Sequence, residues 1–234
     1  RYCIELMLSN KKISVIMSVY NNEATLEKSV ESILSQSYEN LEFFIIDDFS
    51  SDNTKKILKN YQKKDKRIKT FFNEENLGLT KSLNILLKRV DSNSIIARQD
   101  GDDFSEKDRF TKQINFILND NYDAVYSRAK RIHDNKLIPG KSFFLNKKFL
   151  LNFKNPYIHG TLMAKYESFK KVGFYDEDFY YAQDYKLILD FHKNGLNTYY
   201  IGEPLYNLNM ENNISTNFRE EQKNFFIKAR KYNR

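Results

Sequence analysis

Within its first 120 residues the chain repeats one pattern four times: a short apolar run, a polar loop, then apolar residues at helical spacing. "ISVIM" (13–17) ends in "SVYNNE", and Ala24, Leu26, Val30, Ile33 and Leu34 follow on one helical stripe. "LEFFIID", from Leu41, leads through "DFSSDN" to a helix from Thr54 to about Tyr61, with Ser51 or Asp52 placed to cap its start. "IKTFFN" runs into "EENLGLTKSLNILLKRV", a glycine-bearing loop and helix, and "SIIARQ" runs into "DGDDF". Ser105 and Asp108 have capping-box spacing at the head of the helix "EKDRFTKQINFILN". Strands alternating with helices in this way predict an α/β fold with a mostly parallel central sheet and helices on both faces. Ligands of such sheets sit outside the C-terminal strand ends, so "SVYNNE", "DDFSSD", "NEENLG" and "DGDDF" converge on one site.

The second half is less regular. "DAVYSRAKRI" reads as a fifth strand, residues 133–155 as a long basic and aromatic connection, and "IHGTLMAK" as a further strand. Helices "YESFKKV" and "DYKLILDFHKNG" flank "GFYDEDFYYAQ", "NTYYIG" and "PLYNLNM" read as two closing strands, and the basic tail reads as a helix. The expected organisation is an N-terminal tail (1–11), one domain (12–217) with halves at 12–120 and 121–217, and a basic helical tail (218–234).

A chain of 234 residues with 41% hydrophobic and 15% aromatic residues can fill one α/β core and is not a disordered polymer. Its net charge of +7 suits an anionic partner, whether nucleic acid, lipid head group or diphosphate. Cys3 is the single cysteine, so an internal disulfide is excluded and a reducing compartment fits. The start, "RYCIELMLSNKK", lacks a signal-peptide pattern and offers Met7 as a start residue, and no segment approaches the ~20 apolar residues of a membrane span. A cytoplasmic protein is expected.

Glycine-rich nucleotide loops are absent: "PGKS" (139–142) lacks the earlier P-loop glycine, since position 135 is Asn135, and "SVYNNE" has no glycine for a dinucleotide fingerprint. One Cys and three His cannot build a zinc cage. What remains is oxygen chemistry at Asp100, Asp102 and Asp103. Like charges about 4 Å apart repel by roughly 4 kcal/mol at an effective dielectric near 20, so water, Arg98 or a cation must offset them. Mg²⁺ or Mn²⁺ takes one or two carboxylates and lets substrate phosphates complete its shell. A solvated turn before a helix explains the same residues equally well.

Four stretches in order, "KISVIMSVYNNEATLEKSVESILSQSYENLEFFIIDDFSSDNT", "ENLGLTKSLN", "IARQDGDD" and "AQDYKL", resemble the family 2 inverting glycosyltransferases of GT-A fold, over about Lys12 to Gly202. The resemblance implies a nucleotide-sugar donor, UDP-linked first, Mn²⁺ or Mg²⁺, and a carbohydrate or lipid-linked saccharide acceptor in bacterial surface polysaccharide, lipopolysaccharide or capsule assembly. It implies that Ser18, Tyr20 and Asn21 contact the nucleotide, Tyr20 by stacking, and that Asp48 or Asp47 accepts from the base imide. Asn76 and Gly78 would shape the neighbouring loop, Lys81 would reach phosphate, and Asp100 would sit by the ribose. Asp102 would ligate the metal, Asp103 would ligate or orient it, and Arg98 would pair with one of the three acids. His159 matches a position near metal and leaving group; a structural histidine is the alternative. Asp184 is the implied general base, and helix capping is compatible with that role. The family usually has Glu before this Asp; here it is Gln183.

The rivals are a nucleic-acid binder, a sugar nucleotidyltransferase and an inactive nucleotide-sugar-binding homologue. No basic patch carries a nucleic-acid reading motif, the first loop lacks the basic, glycine-rich character of a nucleotidyltransferase, and Asp184 argues against an inactive homologue. The basic, aromatic tail is a candidate for peripheral contact with the inner face of the cell membrane.

Overall fold

The structure, a computed structural model, describes residues 11–210 and 219–232, with only the backbone of Arg219 described. Cys3 and Met7 lie outside the described residues. In chain order the first half runs β1 (Ile13–Val19), α1 (Leu26–Leu34), β2 (Leu41–Asp47), α2 (Thr54–Lys64), β3 (Ile68–Phe72), α3 (Leu79–Leu87) and β4 (Ile95–Arg98). Then come β5 (Phe104–Ser105), α4 (Arg109–Leu118), β6 (Ala124–Arg131), β7 (Leu137–Ile138) and a short α5 (Lys147–Leu150). β8 (Met163–Lys165), α6 (Tyr166–Val172), α7 (Gln183–Lys193), β9 (Thr198–Leu208) and α8 (Arg219–Tyr232) complete the described elements.

One sheet in the order β3-β2-β1-β4-β8-β6-β9-β5, with β7 on β6, holds these strands together. β1 pairs in parallel with β2 and β4, and β2 with β3, so the four expected strand ends share one edge. β8 runs antiparallel to both β4 and β6 and joins the two halves, and β6 and β9 are again parallel. Side-chain alternation divides the core. Val15 and Met17 of β1 and Phe43 and Ile45 of β2 meet Leu26, Val30, Leu58 and Phe110 on one face. Ile16, Phe44 and Ile46 meet Leu83, Leu86, Phe169 and Phe191 on the other. Each such buried side chain stabilises the fold by about 1.5–3 kcal/mol, and truncating one to Ala costs about 2–5 kcal/mol.

Several local expectations are corrected. Ser105 does not cap α4: it lies in β5, where the ladder to β9 holds Phe104 opposite Asn207 and Ser105 opposite Tyr206, and its hydroxyl donates to Gln99 Oε1 (2.8 Å). Asp108 takes the N-cap position without a capping side-chain bond. Asn53 starts α2, with Asp52 Oδ1 accepting from Thr54 N (2.9 Å), and the helix continues past Tyr61 to Lys64. The two expected closing strands are one, β9, whose register against β6 shifts around Pro204, a residue with no N–H for the ladder. "IHGTLMAK" is a 3₁₀ turn, His159–Thr161, before the three residues of β8. The 133–155 connection contains β7, a 3₁₀ turn and α5. α8 is helical as expected and packs two of its aromatic rings on the domain: Phe226 stacks on Tyr185 at 4.1 Å, and Phe225 packs against Phe179 at 5.9 Å, while Tyr232 is exposed. Among the described residues no helix is long and apolar enough to cross a membrane.

Candidate active site

The loops after β1 and β2 are fastened to each other by polar side chains. Asn21, in the left-handed region at φ 51°, accepts from Ser51 N through Oδ1 (2.9 Å) and donates its own N–H to Ser50 Oγ (2.9 Å). Asn22 N donates to Thr54 Oγ1 (2.8 Å), Glu23 N to Asp52 Oδ2 (3.0 Å), and Asn53 N back to Glu23 Oε2 (2.9 Å). Glycine is unnecessary there because side chains supply the turn geometry. Ser18 is half-buried at the end of β1, and Tyr20 stands 51% exposed beyond it.

Asp47 and Asp48 are both buried, but they do different work. Asp47 Oδ1 accepts from Ser50 N (3.1 Å) and tightens its own turn. Asp48 Oδ1 accepts from Asn73 Nδ2 (2.7 Å), Leu77 N (2.9 Å) and Ser82 Oγ (3.1 Å), and its Oδ2 from Gly78 N (2.8 Å). It latches the loop that carries Asn76 and Gly78. Gly78 has φ 82°, and a Cβ there would lie 2.5 Å from the Tyr180 ring, so glycine is required on both counts. Asn76 and Lys81 are exposed at the rim of this loop.

The acidic turn after β4 rests on a buried polar frame. Gln99 Nε2 donates to Asp103 O (3.0 Å) and Asp100 O (3.1 Å), while its Oε1 accepts from Ser105 Oγ and Arg109 Nη1 (3.1 Å). Arg109, fully buried, also donates to Arg98 O (2.8 Å). Arg98 pairs with Asp100 through Nη2 (2.5 Å), and Tyr206 OH accepts from Asp100 N (3.1 Å). Burial, and then the Asp100 charge, push the Asp102 carboxyl up to about 6. Asp103 is pushed well above the usual carboxylate range by burial and then by Asp100 and Asp102, while its Oδ1 accepts from Asn209 N (2.6 Å). Asp102 and Asp103 line a cavity of about 220 Å³ with Thr25, Lys28, His133 and Asn209. The larger cavity, about 560 Å³, opens between α3, α6 and α7 and is lined by none of these acids.

His159 Nε2 is hydrogen-bonded to Tyr175 OH (2.7 Å), and burial, then Arg98, push the imidazole down to about 3, so it is neutral. A Cβ on neighbouring Gly160 would lie 2.7 Å from Asp100 Oδ2 and collide with the Tyr206 hydroxyl, so only glycine fits against the acidic turn. Asp184 sits in the first turn of α7, behind Ala182 at φ 54°, and its Oδ2 accepts from Asn155 Nδ2 (2.8 Å). Burial raises its carboxyl above the ordinary range; the helix-start N–H groups and Asn155 oppose that rise, and the Asp100 charge adds to it. Gln183 lies beside it, half-buried.

Among the described residues no three His, Cys, Asp or Glu side chains gather as a complete ligand cage. Two adjacent carboxyls whose charged forms lack cationic partners beyond Arg98 nevertheless fit a hard cation that draws most of its ligands from a diphosphate. His159, held through Nε2, has only its other ring nitrogen for such a role. Sequence reasoning missed Asn155, Tyr175, Gln99, Arg109, Tyr206 and two exposed aromatics at the rim, Phe49 (φ 70°) and Tyr180. Asn155, Tyr175, Arg109, Tyr206 and Tyr180 stand in no strand-end motif; Gln99 and Phe49 do, in "IARQDGDD" and "DDFSSD", and a bulky residue at a turn position is a readable signal for Phe49.

A sheet of this order, with carboxylates after β2 and β4 and a half-buried carboxyl at the start of α7, has the GT-A glycosyltransferase fold. Residues 14–174 match the family model for glycosyl transferase family 2, and the chain belongs to that family. It is 35% identical over 205 residues to the putative glycosyltransferase EpsE of Bacillus subtilis, covering 86% of this chain and 73% of EpsE. It is 36% identical over 126 residues to the Escherichia coli UDP-Glc:alpha-D-GlcNAc-diphosphoundecaprenol beta-1,3-glucosyltransferase WfgD, covering 54% of this chain and 49% of WfgD. Among solved structures, S. aureus TarS 1-349 in complex with UDP-GlcNAc superposes with TM-score 0.74 at 21% identity, covering 86% of this chain and 59% of that TarS 1-349 chain. The mannosyltransferase PcManGT from Pyrobaculum calidifontis, in complex with GDP-Man and Mn2+, gives 0.72 at 18%, covering 94% and 64%.

Proposed function

We propose that the chain transfers a sugar, with inversion, from a nucleotide-diphosphate sugar, UDP-linked first, to a hydroxyl acceptor in bacterial surface polysaccharide, lipopolysaccharide or capsule assembly. The observation that carries this reading is Asp184: a half-buried carboxyl with a raised pKa, oriented by Asn155 and close enough to feel the charge of Asp100. Such a group can take the proton of an acceptor hydroxyl as its oxygen attacks the anomeric carbon from the side opposite the leaving diphosphate, a contribution of typically 10²- to 10⁴-fold. Tyr20 offers a ring for the base, and Ser18, Asn21, Asp47 and Asp48 build the wall behind it. Asn76, Gly78 and Lys81 flank the nucleotide, and Asp100 faces the ribose. Asp102, with Asp103 beside it and His159 nearby, would hold Mn²⁺ or Mg²⁺, which when bound supplies neutralising charge to the diphosphate oxygens. The donors and acceptor in the names of WfgD, TarS and PcManGT support nucleotide sugars and a lipid-linked saccharide as substrate classes.

The test is thermal protection and turnover with UDP-, GDP- and dTDP-sugars in the presence of Mn²⁺. Asp184→Asn should abolish turnover and keep metal-dependent nucleotide binding, whereas Asp102→Asn should weaken both. Absence of protection by every donor sinks the reading, and identical behaviour of the two variants sinks the division of roles.

A further inference from the structure

Four large apolar side chains, Phe144, Leu145, Phe149 and Phe153, stand 82%, 52%, 59% and 61% exposed between residues 144 and 153. They are not a frayed loop. Asn146 Oδ1 caps α5 by accepting from Phe149 N (3.0 Å), Leu150 and Leu151 are buried beneath, and Tyr185 OH donates to Leu151 O. Phe143 packs edge-on against Tyr200 at 5.3 Å with Lys147 Nζ 4.5 Å over its ring. The scaffold therefore holds the outer side chains in water, and Phe149 and Phe153 make one surface at 5.1 Å. Lys141, Lys148 and Lys154 are exposed among them, and no Asp or Glu occurs between Asp134 and Glu167.

We propose that residues 141–154 are a membrane-docking surface, with Phe144, Leu145, Phe149 and Phe153 entering the head-group boundary of an anionic bilayer and the lysines engaging its phosphates. Rigid aromatic side chains beside cationic ones match both layers of that boundary. A second copy of the chain matches only one, because a self-complementary contact would set lysines against lysines. The patch ends one residue before Asn155, which orients Asp184, so on the reading given under Proposed function the docked face lies beside the base that would receive a lipid-linked acceptor. Of the C-terminal tail's rings, Phe225 and Phe226 are packed on the domain and Tyr232 is exposed.

The experiment is flotation of the full chain with vesicles of equal parts phosphatidylglycerol and phosphatidylcholine, against phosphatidylcholine alone. Wild-type protein should float with the anionic vesicles, less so as salt rises. Phe144→Ser with Phe149→Ser and Phe153→Ser should cut partitioning by roughly tenfold per ring. Lys141→Ser with Lys148→Ser and Lys154→Ser should remove the preference for the anionic lipid, and Ile227→Ser with Tyr232→Ser on the tail should change nothing. Thermal unfolding of each variant confirms that it folds. Wild-type protein that stays down, an aromatic variant that floats as well as wild type, or a dimer that the aromatic substitutions split into monomers overturns the proposal. UDP binding measured on the same proteins separates the two ideas: flotation without nucleotide binding defeats the enzymatic reading alone, and the converse defeats the docking surface alone.

Discussion

Asp47→Asn and Asp48→Asn change neighbouring buried carboxylates by the same isosteric step, and the structure predicts very different costs. Asp48 accepts four hydrogen bonds, three on Oδ1 and one on Oδ2. An amide has one oxygen. If that oxygen keeps the Oδ1 side, the NH₂ points at Gly78 N–H, leaving a buried donor against a donor at about 1–3 kcal/mol. The other bonds lose their charge assistance, roughly half of each, or about 1 kcal/mol apiece. The total is roughly 4–6 kcal/mol, a large part of the ~5–15 kcal/mol that holds a domain folded. For a chain of this size it lowers Tm by on the order of 10 °C. Asp47 accepts one bond, from Ser50 N, so its variant should lose about 1 kcal/mol and a few degrees. Thermal unfolding by circular dichroism, with UDP affinity by calorimetry, measures both. Equal shifts for the two variants, or an unmoved Tm for Asp48→Asn, would refute the latch and leave Asp48 with the base contact alone.

The metal-free protein should lose stability as pH rises through about 6, because Asp102 binds its proton more tightly when folded than at its ordinary value of 3.8. The stabilisation is complete below that ordinary value, and the loss is at most about 3 kcal/mol before solvent screening; Asp102→Asn should flatten the slope in a Tm series from pH 4 to 8, and an unchanged slope would assign it elsewhere. Asn155→Ala removes a donor that holds the Asp184 carboxyl down, so the acid limb of kcat/KM should move to higher pH while UDP affinity stays as in wild type. Gly160→Ala drives a methyl onto Tyr206 and to 2.7 Å from Asp100 Oδ2; it should cost about 1–3 kcal/mol of stability and weaken nucleotide protection, and full retention of both would show that the acidic turn can move.

The first half of the molecule was legible because each strand end announces itself locally: an apolar run stops, a polar loop follows, and the period changes from 2 to 3.6. That pattern places Asp48, Asp100 and Asp102 at one sheet edge from the sequence alone. What could not be read depends on partners distant in sequence. Ser105 has the local grammar of a cap, yet the strand around Tyr206 claims it. Pro204 reads as a break between strands, yet the register shift absorbs it within one. Asn155 and Tyr175 carry no motif and acquire meaning only when Asp184 and His159 fold onto them. Residues 141–154 defeated pattern reading because neither period holds there, and their outward aromatics follow from the bilayer-facing role proposed above rather than from packing.

The acidic turn shows why the fold tolerates three neighbouring carboxyls. Arg98 is ion-paired with Asp100 and acts on Asp102 only from a distance; burial first, and then the neighbouring charges, hold Asp102 and Asp103 above the usual carboxylate range, so the repulsion is carried, not removed. The backbone could relieve it by splaying apart. It is prevented from doing so by Gln99, whose amide ties the carbonyls of Asp100 and Asp103 together, and by Arg109, which braces Gln99 and the Arg98 carbonyl. Gly160 and Tyr206 close the remaining side. Arg109 is the cation of this frame, but its guanidinium hydrogen-bonds Gln99, Ser105, Gln113 and the Arg98 carbonyl and reaches Asp100 and Asp103 only at a distance, and Tyr206 lowers Asp103. The frame therefore fixes the position of the charge without cancelling it, and a site in that condition gains most from a ligand that brings positive charge with it.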